Sequence, residues 1–266
     1  MLTTAAETPT TQLADRTSPS GAHLRAWNLL AGVFHLVQAA AVILLANDFS
    51  IPVTASFLEG PPGTSPGDPE VLFNLSIAWG VAAFMLMSAV AHFIISAPGV
   101  YGWYRGQLAK HRNYARWVEY SFSSSLMVVL IAMLPGITDV AAMAALFGVN
   151  ASMILFGMLM EKYEEPGRPS WMAYWFGVIA GAVPWLAIAI YLWSPGSTAE
   201  PPAFVYGIFF SLFFFFNIFA INMALQYLKT WRWRDYLFGE KVYIALSLTA
   251  KSLLAWQVFS ATLAGD

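Results

Sequence analysis

The 266-residue sequence contains no cysteine, which excludes disulfides, thiolate nucleophiles and cysteine-based metal sites together. Charge is the second scarcity. Only 11% of the residues are Asp, Glu, Lys or Arg, against 58% hydrophobic, too few to clothe a water-soluble domain of this length. The formal net charge of −2 leaves no basic excess to attract nucleic acid. Met1–Ala22 has no apolar stretch behind basic residues, so it does not read as a secretory signal peptide. Rich in Thr, Ala, Ser and Pro, it reads as disordered, and residues 1–25 are assigned to a cytoplasmic tail ahead of a single domain, 26–266. No internal repeat at a fixed spacing is visible.

Long apolar runs take the place of the missing charge. A helix needs about 20 mostly apolar residues to cross the hydrocarbon core of a bilayer. Seven segments meet that length: Ala26–Ala46, Val71–Ser96, Asn113–Leu134, Val140–Met160, Trp171–Trp193, Ala203–Tyr227 and Lys241–Leu263. Turn chemistry separates them, at Pro61-Pro62-Gly63, Pro98-Gly99, Pro135-Gly136, Pro166-Gly167 and Pro195-Gly196. The expected fold class is an all-α seven-helix membrane bundle. In its long first loop, Ile51–Phe57 fits a short β-hairpin over one face of the bundle, a mobile loop being the other reading.

The few basic residues are segregated. Arg16 and Arg25 lie in the tail; Arg105, Lys110, Arg112 and Arg116 follow the second span; Lys162 and Arg168 follow the fourth; Lys229, Arg232, Arg234 and Lys241 follow the sixth. The first, third and fifth loops and the C-terminal tail contain no Lys or Arg. By the positive-inside rule the chain sits in the cell membrane with a cytoplasmic N-terminus and an extracellular C-terminus.

Twelve of the 13 Lys and Arg residues are thereby placed, and the thirteenth is Lys251, near the middle of the last span. A lysine at that depth is costly and usually marks a functional site. It must pair with an acid, lose its proton or be covalently modified. Glu119 is the acid well inside a span, on the third helix, and makes the natural partner. A lysine imine also needs a low-dielectric pocket and a nearby carboxylate. Two plainer readings stand beside this one: Lys251 is merely an ion-pair partner across the bundle, or Glu119 reaches the inner interface and is held there by Arg116, one turn earlier. His35, with Gln38 one turn on, and His92 share the depth of Glu119, which suggests a polar cavity able to hold a proton. Each histidine could instead bridge two helices. No metal site is expected, because the histidines sit on different helices without ligand spacing, and no nucleophile–base set suggests an enzyme.

Three stretches carry a more specific signal. Arg116-Trp117-Val118-Glu119-Tyr120-Ser121 with Ser123-Ser124-Ser125, Phe147-Gly148-Val149-Asn150-Ala151-Ser152-Met153-Ile154-Leu155-Phe156-Gly157, and Ala250-Lys251-Ser252-Leu253-Leu254-Ala255-Trp256-Gln257 resemble the heliorhodopsins. Gly32-Val33-Phe34-His35-Leu36 and His92-Phe93 fit the same family, and the likeness runs through all seven helices. The resemblance implies all-trans retinal on Lys251 with Glu119 as counterion, His35 and His92 in an inner polar cavity, an inverted topology and a homodimer in the bilayer. Trp117, Met153, Trp185, Phe213, Phe216 and Trp256 are candidates for the chromophore pocket, partly on that analogy; Asn150 and Asn217 either line it or bridge helices.

Proton-pumping microbial rhodopsins carry a Thr four residues after the third-helix acid, a second acid eleven residues after it, and another acid four residues before the lysine. Here Ser123, Leu130 and Ser247 occupy those offsets. Ser123 and Ser247 share helix faces with Glu119 and Lys251 and are expected to hydrogen-bond them, but neither relays a proton as an acid does. The expectation is therefore light sensing with an internal proton transfer and an unidentified signalling partner. The alternatives are a light-driven or light-gated proton or ion transporter, and a retinal-free receptor in which Lys251 and Glu119 form an ion or substrate site.

Overall fold

The computed structural model describes residues 19–193 and 201–263. Among them are eight α-helices: α1 (Pro19–Leu44), α2 (Ile77–Ser96), α3 (Pro98–Leu108), α4 (Tyr114–Met133), α5 (Val140–Tyr163), α6 (Met172–Leu192), α7 (Ala203–Tyr227) and α8 (Tyr236–Leu263). Strands β1 (Ser50–Ala55) and β2 (Glu70–Ser76) and one 3₁₀ turn, Trp231–Arg234, complete the set. Seven of the helices form the expected bundle. The eighth, α3, lies in the stretch read as the second loop, with Pro98 at its first turn, where a missing N–H costs nothing.

Six helices are long and apolar enough to span a membrane by length and composition. The remaining span is α4, whose hydropathy is lowered by Arg116, Glu119 and its serines. It packs against α2, α5 and α6, while α8 closes the ring against α1, α2 and α7. Its polar side chains therefore face neighbouring helices: Arg116, Ser121, Ser123, Ser124 and Ser125 are all buried. Apolar residues turn outward instead. On α6, Trp175, Ile179, Leu186 and Ile190 form one exposed stripe at helical spacing, as a lipid-facing helix requires.

Several boundaries differ from the sequence reading. The first helix begins at Pro19 rather than Ala26, so the last residues assigned to the tail are helical, with Leu24 buried. Residues 1–18 of the tail lie outside the described residues, as does the Pro195-Gly196 break. Val71–Ser76, read as the start of the second span, is strand β2. Hydropathy alone does not separate a short apolar strand from a helix turn, and pairing with β1 captures this one.

The hairpin is antiparallel, from Ser50 opposite Ser76 to Ala55 opposite Glu70, with an irregularity at Val53/Thr54. Val53 is fully buried against Val129, Met133 and Met143. Thr54 N–H donates to the Thr138 carbonyl at 2.9 Å, which fixes the hairpin to the turn between α4 and α5. In the connecting loop Gly63 has φ +102°, and Thr64 N–H donates to the Pro61 carbonyl, a turn that requires a residue tolerant of positive φ. The hairpin marks one end of the bundle. At the other, Arg25 Nε donates to the Ser96 carbonyl and Arg112 to the Lys162 carbonyl.

Candidate functional site

Lys251 on α8 is almost fully buried, and its ammonium points across the bundle. Its Nζ lies 2.7 Å from Glu119 Oε1 on α4 and donates to Ser88 Oγ on α2 at 2.6 Å. Ser88 Oγ in turn stands 2.7 Å from the same carboxylate oxygen, to which it donates. The Tyr120 ring faces the ammonium at 5.0 Å from its centroid. Two opposite charges and a hydroxyl thus close a triangle among three helices. A buried pair of this kind is sustained by the completeness of its hydrogen bonds, and loss of either partner strands the other.

An apolar cavity of about 300 Å³ opens on one side of this triangle. Lys251 lines it, and so do Trp117, Met153, Trp185, Phe213 and Phe216, the aromatic and sulfur side chains expected there. Trp185 meets the edges of Phe213 and Phe216, each at 5.4 Å between centroids, so the walls are mutually braced aromatic rings. Asn217 also lines the cavity. Two glycines thin its walls: a Cβ at Gly157 would meet the Trp117 ring at 2.5 Å, and one at Gly181 would meet Met153 Sδ at 2.5 Å. Flat apolar walls, a volume within the range of small-molecule pockets and one amine at the edge fit retinal held through Lys251.

A second, polar-lined cavity of about 40 Å³ adjoins the Glu119 carboxylate, with room for one or a few waters. Glu119, Ser88, His92, Asn28, Arg116 and Glu240 line it. The ion pair therefore joins two compartments, Lys251 facing the apolar one and Glu119 the polar one, while Tyr120 and Tyr243 border both. His92 Nδ1 lies 2.8 Å from Asn28 Oδ1, and its ring stacks on His35 at 5.8 Å. His35 is fully buried; its Nδ1 touches Met85 Sδ at 3.3 Å and its Nε2 has no partner among the described residues.

Other expectations fail in instructive ways. Gln38 does not join the histidines: its amide donates to the Phe34 carbonyl and accepts from Trp256 Nε1 at 3.1 Å. Trp256 is accordingly absent from the pocket wall, being drawn outward and 40% exposed. Ser123 lies against the Glu119 carboxylate, as expected, while Ser247 meets the Tyr120 hydroxyl rather than Lys251, and both contacts fall outside ideal hydrogen-bond geometry. Ser88 makes the well-formed hydrogen bonds to both charges. Asn150 bridges helices, donating to Ser124 and Ser125 at 2.9 and 3.0 Å. Arg116 does not hold Glu119. It pairs with Glu161 on α5 and Glu240 on α8, both buried, and lies 3.8 Å from the Tyr243 ring centroid.

Ser88, Glu161 and Glu240 were missed in the sequence. Ser88 stands one helical turn before His92, and Glu240 three turns before Lys251, so both share a face with a residue already singled out. That spacing was the available signal.

A family model described as Heliorhodopsin matches residues 24–263. No curated protein matches the chain. Among solved structures, a light-driven proton pump from Leptosphaeria maculans aligns with a TM-score of 0.66 at 14% identity, covering 93% of this chain and 96% of that one. A proton-pumping rhodopsin from Acetabularia acetabulum aligns at 0.67 and 14% identity, covering 94% and 98%. The transmembrane domain and linker of a Salpingoeca rosetta rhodopsin phosphodiesterase aligns at 0.65 and 13%, covering 96% and 84%. At these identities the likeness is one of fold.

Proposed function

The chain belongs to the heliorhodopsin family, and we propose that it senses light through all-trans retinal bound covalently to the Lys251 amine. One observation carries the reading: the single amine in the apolar cavity is paired with one carboxylate, Glu119, and one hydroxyl, Ser88. Bound retinal supplies visible absorption and a light-driven isomerisation. The protein supplies the rest. Glu119 balances the positive charge at Lys251 Nζ, Ser88 fixes the orientation of both groups, and the aromatic walls exclude water and restrain a long flat ligand. On the Glu119 side, the polar cavity with His92, and His35 stacked behind it, offers places for a proton to move and return.

Signalling is favoured over pumping by Leu130 and Ser247. Leu130 is fully buried in the apolar core where pumps carry an acid, and Ser247 stands where they carry the second counterion. A proton leaving Lys251 Nζ would then be held and returned within the bundle, and the accompanying change in the helices would bias a partner. The proposed orientation has the N-terminus in the cytoplasm, and the segregation of Lys and Arg supports it. We read the bundle as a photoreceptor rather than an enzyme, and as a homodimer in the membrane.

The test is reconstitution with all-trans retinal. A visible band in the wild type, abolished by Lys251→Ala, is the expected result; no band in the wild type overturns the reading. Illumination under voltage clamp separates the two uses of light: a flat trace supports sensing, and a sustained current supports transport.

A further inference from the structure

At the end of the bundle away from the hairpin, the turns after α5 and α7 gather basic side chains. Gly167 N–H donates to the Tyr227 carbonyl at 2.8 Å and joins the two turns. The Lys229 side chain then runs over Gly167, its Nζ 3.6 Å from where a Cβ there would stand, with Arg168 next in the chain. Arg234 Nε donates back to the Lys229 carbonyl at 3.3 Å, and Arg232 lies 4.9 Å from the Phe238 ring centroid. Lys162 and Arg112, the latter donating to the Lys162 carbonyl, extend the patch at the end of α5. These six cations face three acids, Glu164, Glu165 and Asp235. None of the six forms an ion pair with a carboxylate among the described residues. Glu164 instead accepts from Ser170 Oγ and Trp171 N–H, and Asp235 from Leu237 N–H. The patch therefore keeps an excess of positive charge open to an anion.

Exposed apolar side chains adjoin it. Trp231 is 72% and Tyr163 71% exposed, and Met172, Trp175 and Leu228 also lie at the surface of the same turns and helix ends. Aromatic and basic residues mixed in this way belong to the headgroup layer of a bilayer. The backbone is held at some cost there: Trp171, Lys229 and Trp231 have φ of +64, +51 and +45°, a region unfavourable to any residue with a side chain. An acidic protein would be recognised by the charges alone. Charges beside exposed tryptophans suit a ligand with a negative head and an apolar tail.

We propose that this patch binds the phosphate of an anionic phospholipid, with Lys229, Arg168 and Arg234 holding the headgroup and Trp231, Leu228 and Trp175 lying against its acyl chains. The proposal needs the membrane-spanning bundle and not the chromophore.

Native mass spectrometry tests it on the full chain released from nanodiscs of equal parts phosphatidylglycerol and phosphatidylcholine with the same acyl chains. The wild type should retain phosphatidylglycerol in preference. Lys229→Gln should lower that preference about fivefold, as expected for the attraction of one basic residue to an anionic lipid surface. Lys110→Gln, which removes an exposed charge outside the two turns, should leave it unchanged. A preference that Lys229→Gln leaves intact, or that falls equally in Lys110→Gln, overturns the proposal. Equal retention of both lipids by the wild type also overturns it, and gives the patch to an acidic protein. Inorganic phosphate at millimolar concentration should not displace the lipid; full displacement would assign the patch to a free anion and overturn the lipid. Should Lys229→Gln fail to fold, Arg168→Gln, at an exposed turn position, gives the same reading, and an unchanged preference there overturns the proposal.

Discussion

Lys251 Nζ donates to Ser88 Oγ across 2.6 Å, tying the last helix to the second at the same point where Glu119 ties it to α4. Removing the hydroxyl should cost more than removing either serine expected from sequence to fill its place. Ser88→Ala loses hydrogen bonds to two charged groups, worth about 1.5–3 kcal/mol for a bond to a charge. Ser247→Ala, which touches neither charge, should stay within about 0.5 kcal/mol, and Ser123→Ala, which loses a poorly aligned contact to Glu119, should fall between the two. Thermal unfolding of the three variants in one detergent checks the order.

Glu119→Gln leaves the Lys251 charge with only Ser88. Breaking one side of a buried pair typically costs about 3–5 kcal/mol, so the apoprotein should melt at a lower temperature. In the retinal-loaded protein the visible band should move to the red or give way to the near-ultraviolet absorption of an unprotonated imine. Absorption spectroscopy decides, and an unchanged spectrum would assign the counterion role elsewhere.

The wall of the apolar cavity makes a steric prediction. A methyl group at Gly181 must push Met153 aside, since its Cβ would lie 2.5 Å from the sulfur. Gly181→Ala should therefore slow or weaken retinal uptake about tenfold, in line with ~1–3 kcal/mol for one methylene in a tight pocket. Gly207→Ala, where a Cβ meets nothing within 4 Å, should bind retinal as the wild type does. Following growth of the visible band after retinal addition measures both.

Lys251 and Glu119 were legible in the sequence because charge is so rare in the apolar runs that each exception identifies itself. The third span was legible despite its low hydropathy, because Asn113 and the Pro135-Gly136 turn bracket a run of the right length. Glu161 and Glu240 were not, since an acid near a helix end normally reaches water; only the packing of α5 and α8 around Arg116 buries them. Ser88 was hidden for a different reason. A serine can bond the carbonyl one turn back, as Ser88 does to Phe84, so its identity alone signals no site. Strand β2 was lost to hydropathy: Val71, Leu72 and Phe73 are apolar and exposed, and only pairing with β1 separates them from the helix that follows.

The exposed apolar side chains on both faces of β2 bear on the proposed homodimer. Val71, Leu72 and Phe73 are 58, 46 and 52% exposed at the hairpin end of the bundle, while Val53, opposite Phe73 in register, is fully buried. The two positions should therefore respond differently to a polar substitution. Val53→Asp places an unpaired charge among Val129, Met133 and Met143, which costs several kcal/mol and should unseat the hairpin. Phe73→Ser alters a half-exposed side chain at the surface, so folding stability should change by about 1 kcal/mol or less. If β2 is the contact between two copies, Phe73→Ser should nonetheless shift the protein from dimer to monomer in size-exclusion chromatography with light scattering. A Phe73→Ser protein that stays dimeric would place the contact on another face.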